Sequence, residues 1–274
     1  MAIITISRQI GSLGNDIAQK SADQLNYTLL DINSINDMVS EYSSDFSREM
    51  IALADESRPG FFDRFFYQQS VYSNLVSALI YEAASRDNMI VVGRGGQFII
   101  KTQPSVIHVR IIAPFDIRVE RVKQRRQLKH DLAKDMVRKV DRQRSDFIRY
   151  LFHHDVSDPE WYDMVINTGK FDVDATVDIL VNKARTLDSP GEDAIKAFKA
   201  SALQKRVEAT LQKEMPNSNH IKVKADTGGT VTISGYIATE AEKANASVHA
   251  ESVRGVNSVD NLIQVAYFPV TTWP

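Results

Sequence analysis

Short apolar runs alternate with longer stretches of helical spacing through the first two thirds of the chain. The runs fall at residues 2–6 (Ala2-Ile3-Ile4-Thr5-Ile6), 27–31, 89–93, 106–112 and 162–167. Runs this short, bounded by turn residues, read as strands; helices between successive strands imply parallel crossovers, so the pattern predicts a parallel sheet covered on both faces. The longest intervening stretch passes through Phe61-Phe62-Asp63-Arg64-Phe65-Phe66-Tyr67 to Ala84, with Val71, Leu75, Leu79 and Ile80 at helical spacing. Its aromatics read as core rather than as a platform for stacking bases.

The pattern changes near the linker-like stretch Asp188-Ser189-Pro190-Gly191-Glu192-Asp193. An amphipathic helix is expected over 194–211, strands over 220–225 and 231–235 joined through Thr227-Gly228-Gly229, a helix over 240–252 and a strand over 258–266. The chain therefore divides into a first unit at 1–188, a linker at 189–196 and a small α+β unit (αββαβ) at 197–268, each expected to fold separately.

In an open parallel sheet, ligands bind beyond the carboxyl ends of the strands, so the segments that follow the strands form one set. The first is the most informative. The strand at 2–6 breaks into Ser7-Arg8-Gln9-Ile10-Gly11-Ser12-Leu13-Gly14-Asn15-Asp16 and then into a helical pattern. A glycine loop before a helix turns successive N–H groups toward one point, where a phosphate is the natural occupant. Glycine at such a turn can also serve only to allow φ > 0. A full phosphate-binding loop reads G-x-x-x-x-G-K-[ST]; here Gln9 stands at the first glycine, and Asn15 and Asp16 follow Gly14, so the lysine and the metal-holding hydroxyl are missing. The other segments of the set are 31–34, Gly93-Arg94-Gly95-Gly96 and the residues after Asn167.

The chain has 274 residues, 43% hydrophobic and 25% charged, which suits one medium domain plus a small one. Without cysteine there are no disulfides, thiolate metal sites or cysteine nucleophiles, as fits a reducing compartment. Met1 leads straight into a strand with neither the basic nor the apolar stretch of a signal peptide, and no segment is long enough to span a bilayer, so the expectation is a cytoplasmic protein without integral membrane association. His153-His154 are adjacent rather than at metal-ligand spacing and read as a solvated loop.

A net charge of −2 argues against a general nucleic-acid binder, but Arg118 to Arg149 holds twelve Lys or Arg against five Asp or Glu. Most of these basic residues read as a solvated helical surface. Arg142, Arg144 and Arg149 lie close to a polar stretch, His153-His154-Asp155, as expected of a mobile segment closing over an anion.

The blocks Ser7-Arg8-Gln9-Ile10-Gly11-Ser12-x-Gly14, Arg58-Pro59-Gly60-Phe61-Phe62, Val91-Val92-Gly93-Arg94-Gly95, Asp141-Arg142-x-Arg144 and Asp158-Pro159-x-x-Tyr162-Asp163-x-Val165-Ile166-Asn167-Thr168 together resemble the cytidylate-kinase-like family over about residues 1–186. The resemblance implies the three-layer α/β nucleoside monophosphate kinase fold, with five parallel strands, a helical insertion for the monophosphate and an arginine-bearing lid. It implies transfer of the ATP γ-phosphoryl group to a nucleoside monophosphate such as CMP or a related small acceptor, with ATP and Mg²⁺ as cofactors. Gly11, Ser12, Leu13, Gly14, Asn15 and Asp16 would then cradle the donor phosphates, and Arg94 would hold the acceptor phosphate or base. Arg142 and Arg149 would be the lid arginines, Arg8 and Arg144 would replace the missing lysine, and Arg58 would join the substrate-binding set. Asp31 is the nearest carboxylate for a base, with a helix cap as its alternative reading.

Departures from the family pattern are Asn15, Asp16, Gly95 where an aspartate reads cytosine, and Asp37 where an arginine takes the substrate phosphate. Two readings stay open: a kinase for a nucleotide-like or other small phosphorylated acceptor, and a nucleotide sensor or scaffold that kept the fold and lost turnover. Val231-Thr232-Ile233-Ser234-Gly235 and Gly255-Val256-x-x-Val259-Asp260-Asn261-Leu262-Ile263 resemble a BON domain, which implies a small-ligand or protein partner for the tail. From residue 191 onward nine Lys or Arg balance nine Asp or Glu, so that tail has little pull toward anionic lipid. Homo-oligomerisation is left open.

Overall fold

A computed structural model describes residues 2–42, 66–86, 88–100, 104–187, 190–215 and 218–266. The block around Arg58 lies outside the described residues.

Five strands form one parallel sheet: β1 (Ile3–Arg8), β2 (Thr28–Leu30), β3 (Met89–Val92), β4 (Val106–Ile112) and β5 (Met164–Asn167), in the order β2-β3-β1-β4-β5. The helices of this part are α1 (Gly14–Leu25), α2 (Ile32–Tyr42), the short α4 (Gly96–Ile99), α5 (Phe115–Arg126), α6 (His130–Phe152) and α7 (Val173–Arg185). The three-layer α/β expectation is met, and every strand run sits within a residue or two of its expected position. The central strands are buried along nearly their whole length, as crossovers on both faces require.

The two faces of β1 and β4 differ in chemistry. One carries Ile4, Ile6, Ile107, Val109 and Ile111 against Ile17 and Ala22 of α1 and Val177, Leu180 and Val181 of α7. On the other, Thr5 pairs in register with His108 and Ser7 with Arg110, and the side chains bond: Thr5 Oγ1 to His108 Nδ1 at 2.8 Å, and Arg110 Nη1 to Ser7 Oγ at 3.2 Å. Gly96 opens α4 directly over this face, and a Cβ there would press on Thr5 and Val91.

The second unit contains α8 (Glu192–Glu214), β6 (Lys222–Ala225), β7 (Thr230–Ile237), α9 (Glu240–Glu251) and β8 (Ser258–Val265). Its sheet runs β6-β7-β8, with the first pair antiparallel and the second parallel. The expected αββαβ order is present, and Thr239 with Glu242 closes a capping box at the start of α9.

Helix α3 (Phe66–Ala84) groups with this second unit rather than with the sheet it interrupts in sequence. Tyr81 stacks near Phe198 of α8 with centroids 6.2 Å apart, Asn74 donates to Gln212 at 2.9 Å, and Arg206 lies 3.7 Å from Glu82. Among the described residues no helix is long and apolar enough to cross a membrane.

Candidate functional site

The glycine loop leaves β1 at Arg8 and enters α1 at Gly14. Its carbonyls are held from behind: Arg118 donates to Ile10 O, Arg121 to Gly11 O, and the Thr168 hydroxyl to Ser12 O. In a trans peptide the N–H lies opposite the carbonyl, so the amides of Gly11 and Leu13 face the other way. Asp141 accepts from Ile10 N at 3.1 Å and pairs with the buried Arg118, which clamps the loop to α6. Gly11 has φ +74° and its missing Cβ would meet the Arg118 carbonyl, so the loop is packed too closely for any other residue there.

Helix α1 begins without a side-chain cap. Leu13 occupies the N-cap at φ 64°, and its carbonyl accepts the helical bond from Ile17 N at 3.0 Å. The N–H groups of Gly14, Asn15 and Asp16 therefore have no acceptor within the helix. They border a cleft of ≈840 Å³ whose lining includes Arg8, Arg121, Arg125, Arg126 and Arg144. Arginine-rich walls around an uncapped helix start suit a polyphosphate, and the volume lies within the usual range for small-molecule sites. Asn15, at the missing lysine's position, accepts from Arg8 Nε at 3.0 Å, so Arg8 brings its charge to that point. Asp16 pairs with Arg125 at 3.0 Å.

A second, smaller cavity of ≈140 Å³ opens beside the first, at the carboxyl ends of β1, β3 and β4. Its lining includes Arg8, Arg94, Arg110 and Arg144, with Ser7, Gln97 and Ser145 between them. Arg94 is only 4% exposed, lies at φ 54° between two positive-φ glycines, and sets its guanidinium 5.3 Å from the Phe147 ring. Arg8, Gln9 and Arg144 line both cavities.

Of the other expected site residues, Arg142 and Arg149 are exposed on α6 and line neither cavity. Both belong, with Arg144, to one continuous helix rather than to a loop. Asp31 caps α2: its Oδ1 accepts from the Ser34 amide and hydroxyl, each at 2.9 Å. His153 closes α6 at φ 59°, and His154, expected in a solvated mobile loop, instead packs between Phe98 and Trp161 with centroids 5.0 and 4.1 Å away. Aromatic contact on two sides offsets the cost of ordering this segment. Asp155 follows, its carboxyl held below the usual range by bonds from Ser157 and, more weakly, by Arg149 and Arg110.

Arg110, Asp141, Arg118 and Arg121 were not singled out as site residues on sequence grounds. For Arg110 a signal existed: in Val106-Ile107-His108-Val109-Arg110-Ile111-Ile112 the polar residues are two apart, as are Thr5 and Ser7, so both pairs mark one face of the sheet.

Comparison with known proteins places these features. The model of the cytidylate kinase-like family matches residues 3–170, and that of the BON domain matches 199–267. A cytidylate kinase from Methanobrevibacter smithii is 30% identical over 107 residues, which is 38% of this chain and 59% of that protein. A uronate isomerase from Corynebacterium glutamicum is 32% identical over 102 residues, covering 37% of this chain but 20% of that protein. The chain thus spans less than two thirds of the length of these curated relatives. Among solved structures, an uncharacterized protein from Eubacterium ventriosum superposes with a TM-score of 0.54 at 22% identity, covering 68% of this chain and 99% of that one; this likeness shows the fold.

Proposed function

The chain belongs to the cytidylate kinase-like family, and from that premise we propose that it transfers the terminal phosphoryl group of ATP to a small anionic acceptor. The observation that supports this most is the shared wall: Arg8, Gln9 and Arg144 border both the cleft at the glycine loop and the smaller cavity beside it. A donor polyphosphate in the first and an acceptor in the second would meet at two guanidinium groups.

Phosphoryl transfer asks for alignment and for neutralisation of charge on the phosphate oxygens. The amides at the start of α1 orient the donor, while Arg8 and Arg144 take up charge between the partners. The acceptor oxygen bonds to the terminal phosphorus as that phosphorus loses its bond to the bridging oxygen, and the electron pair stays on the departing diphosphate. Among the described residues Asp16 is the only carboxylate of the cleft lining, and it is paired with Arg125, so this lining offers a magnesium ion no free carboxylate.

A second reading, a nucleotide sensor without turnover, is favoured by one observation: Asn15 replaces the loop lysine. Single-turnover assays with labelled ATP and a panel of small phosphorylated acceptors, CMP included, separate the two. Transfer that is lost in Arg8→Ala supports the kinase. ATP binding without transfer to any acceptor supports the sensor, and no ATP binding at all removes both. In either reading the BON domain regulates the first unit or holds a ligand of its own.

A further inference from the structure

Arg110 is the least expected residue of the small cavity. It sits in the middle of the sheet, in β4, and is 8% exposed, yet among the described residues no carboxylate lies within ion-pair distance of it. Its Nη1 donates to Ser7 Oγ and to Tyr162 Oη, each at 3.2 Å, and its guanidinium lies 5.5 Å from the Tyr162 ring centre. Neutral oxygens and a ring face offset little of the cost of burying a full positive charge. The acid in the cavity lining, Asp141, is spent on Arg118 and the Ile10 amide. Tyr162 is itself fixed, donating to Val156 O at 2.8 Å and accepting from Gln97. The guanidinium is therefore held in place in the cavity wall by neutral partners, with the exposed Asp155 acting on it only as a weak charge, beside Arg94, Arg8 and Arg144.

The cavity is also too small to enclose a whole nucleoside monophosphate and wrongly furnished for reading a base. At ≈140 Å³ it is about the size of an engineered cavity that holds one benzene molecule, room for an anion or a single ring but not for base, sugar and phosphate together. Gly95 of the cavity lining has no room for a side chain that could reach a base: φ is +71° and the space for its Cβ is filled by the Phe152 ring. Phe152 is stacked in turn on Phe98, with centroids 5.3 Å apart.

We propose that Arg110 forms an anion-binding subsite at the inner end of the small cavity, and that the acceptor is a compact anion bearing a phosphate or carboxylate rather than a nucleoside monophosphate. This rests on the kinase reading only for the word acceptor; the subsite itself is a matter of binding.

Isothermal titration of the full chain with inorganic phosphate, malonate, ribose 5-phosphate, CMP and ATP tests it. Inorganic phosphate or malonate should bind the unmodified chain, and the one that binds more tightly identifies the anion class. Arg110→Met should weaken that binding about tenfold to a hundredfold, the loss expected for a charge-assisted bond, while ATP affinity stays within about twofold. Arg110→Lys should recover part of the loss. Undiminished anion binding in Arg110→Met overturns the subsite. Should that variant fail to fold, the unmodified chain still decides: CMP binding no more tightly than ribose 5-phosphate upholds a site blind to the base, and a preference for CMP above about tenfold overturns it. Loss of ATP binding alone would count against the kinase reading and leave the anion result standing.

Discussion

Thr5 and His108 meet across the β1–β4 ladder, Oγ1 to Nδ1 at 2.8 Å, and leave the other ring nitrogen of His108 buried without a partner. Burial holds the imidazole below its ordinary pKa, against a weaker opposing pull from Asp163. The folded state therefore binds fewer protons than the unfolded chain as pH falls below about 6.5, and stability drops with it, at up to about 1.4 kcal/mol per pH unit. Melting temperature should fall between pH 7.5 and pH 5.5, and His108→Gln should flatten that fall. An unchanged slope in the variant would assign the acid sensitivity to other groups.

Arg144 borders both cavities while Arg142 and Arg149 border neither, so alanine substitutions should separate them. Losing a charge-stabilising donor from a transfer site lowers turnover by about 10²–10³-fold. Arg144→Ala should show a loss of that order in kcat/KM, with Arg142→Ala and Arg149→Ala each below about tenfold. Equal losses in all three would show that α6 moves during turnover to bring its exposed arginines onto the substrate.

Gly95→Asp supplies the aspartate that the resemblance leads one to expect at this position, but here it would drive a Cβ into Phe152 from a left-handed backbone. It should lower the unfolding midpoint in urea without conferring CMP binding. The double variant Gly95→Asp/Phe152→Ala should regain part of the stability. A well-folded single variant that binds CMP would show the site to be only one substitution away from a nucleotide kinase.

Phe198 is 3% exposed and faces Tyr81 of α3, so Phe198→Ala should cost about 3 kcal/mol or more by urea denaturation. The same packing makes a chain cut after Leu187 lose the partner of α3. Its solubility and melting temperature should fall below those of the full chain, and adding residues 190–274 in trans should restore them. An equally stable fragment would mean that α3 finds another surface to cover it.

The sheet was legible because five short apolar runs and the spacing between them leave little choice of layer or direction. The loop after β1 was legible from the break between strand and helix patterns with Gly11 and Gly14 in it, while those glycines alone left open a turn that only needs φ > 0. Arg142 and Arg149, seven residues apart, share a helix face with one another, but the inward face of α6 is the one carrying Ala133, Val137 and Ile148. Asp141 and Arg144 continue that buried stripe at three- and four-residue steps, which is the signal that sets Arg144 apart from Arg142 and Arg149. The pairing of α3 with α8 had no local signal, since a helix buried nearly all round does not encode which surface covers it. Arg110 was hidden by its neighbours: in a strand otherwise apolar, alternation was averaged away into a single hydrophobic run.

Arg94 stands at φ 54° between Gly93 at 77° and Gly95 at 71°. An L-residue with a Cβ gives up about 1–2 kcal/mol in that conformation, and glycine gives up none. A sequence answerable only to folding would drift toward three glycines in a row at this turn. The arginine thus marks a place where stability and usefulness pull in opposite directions. Arg94→Gly should relax the backbone while it empties the cavity wall of one of its charges.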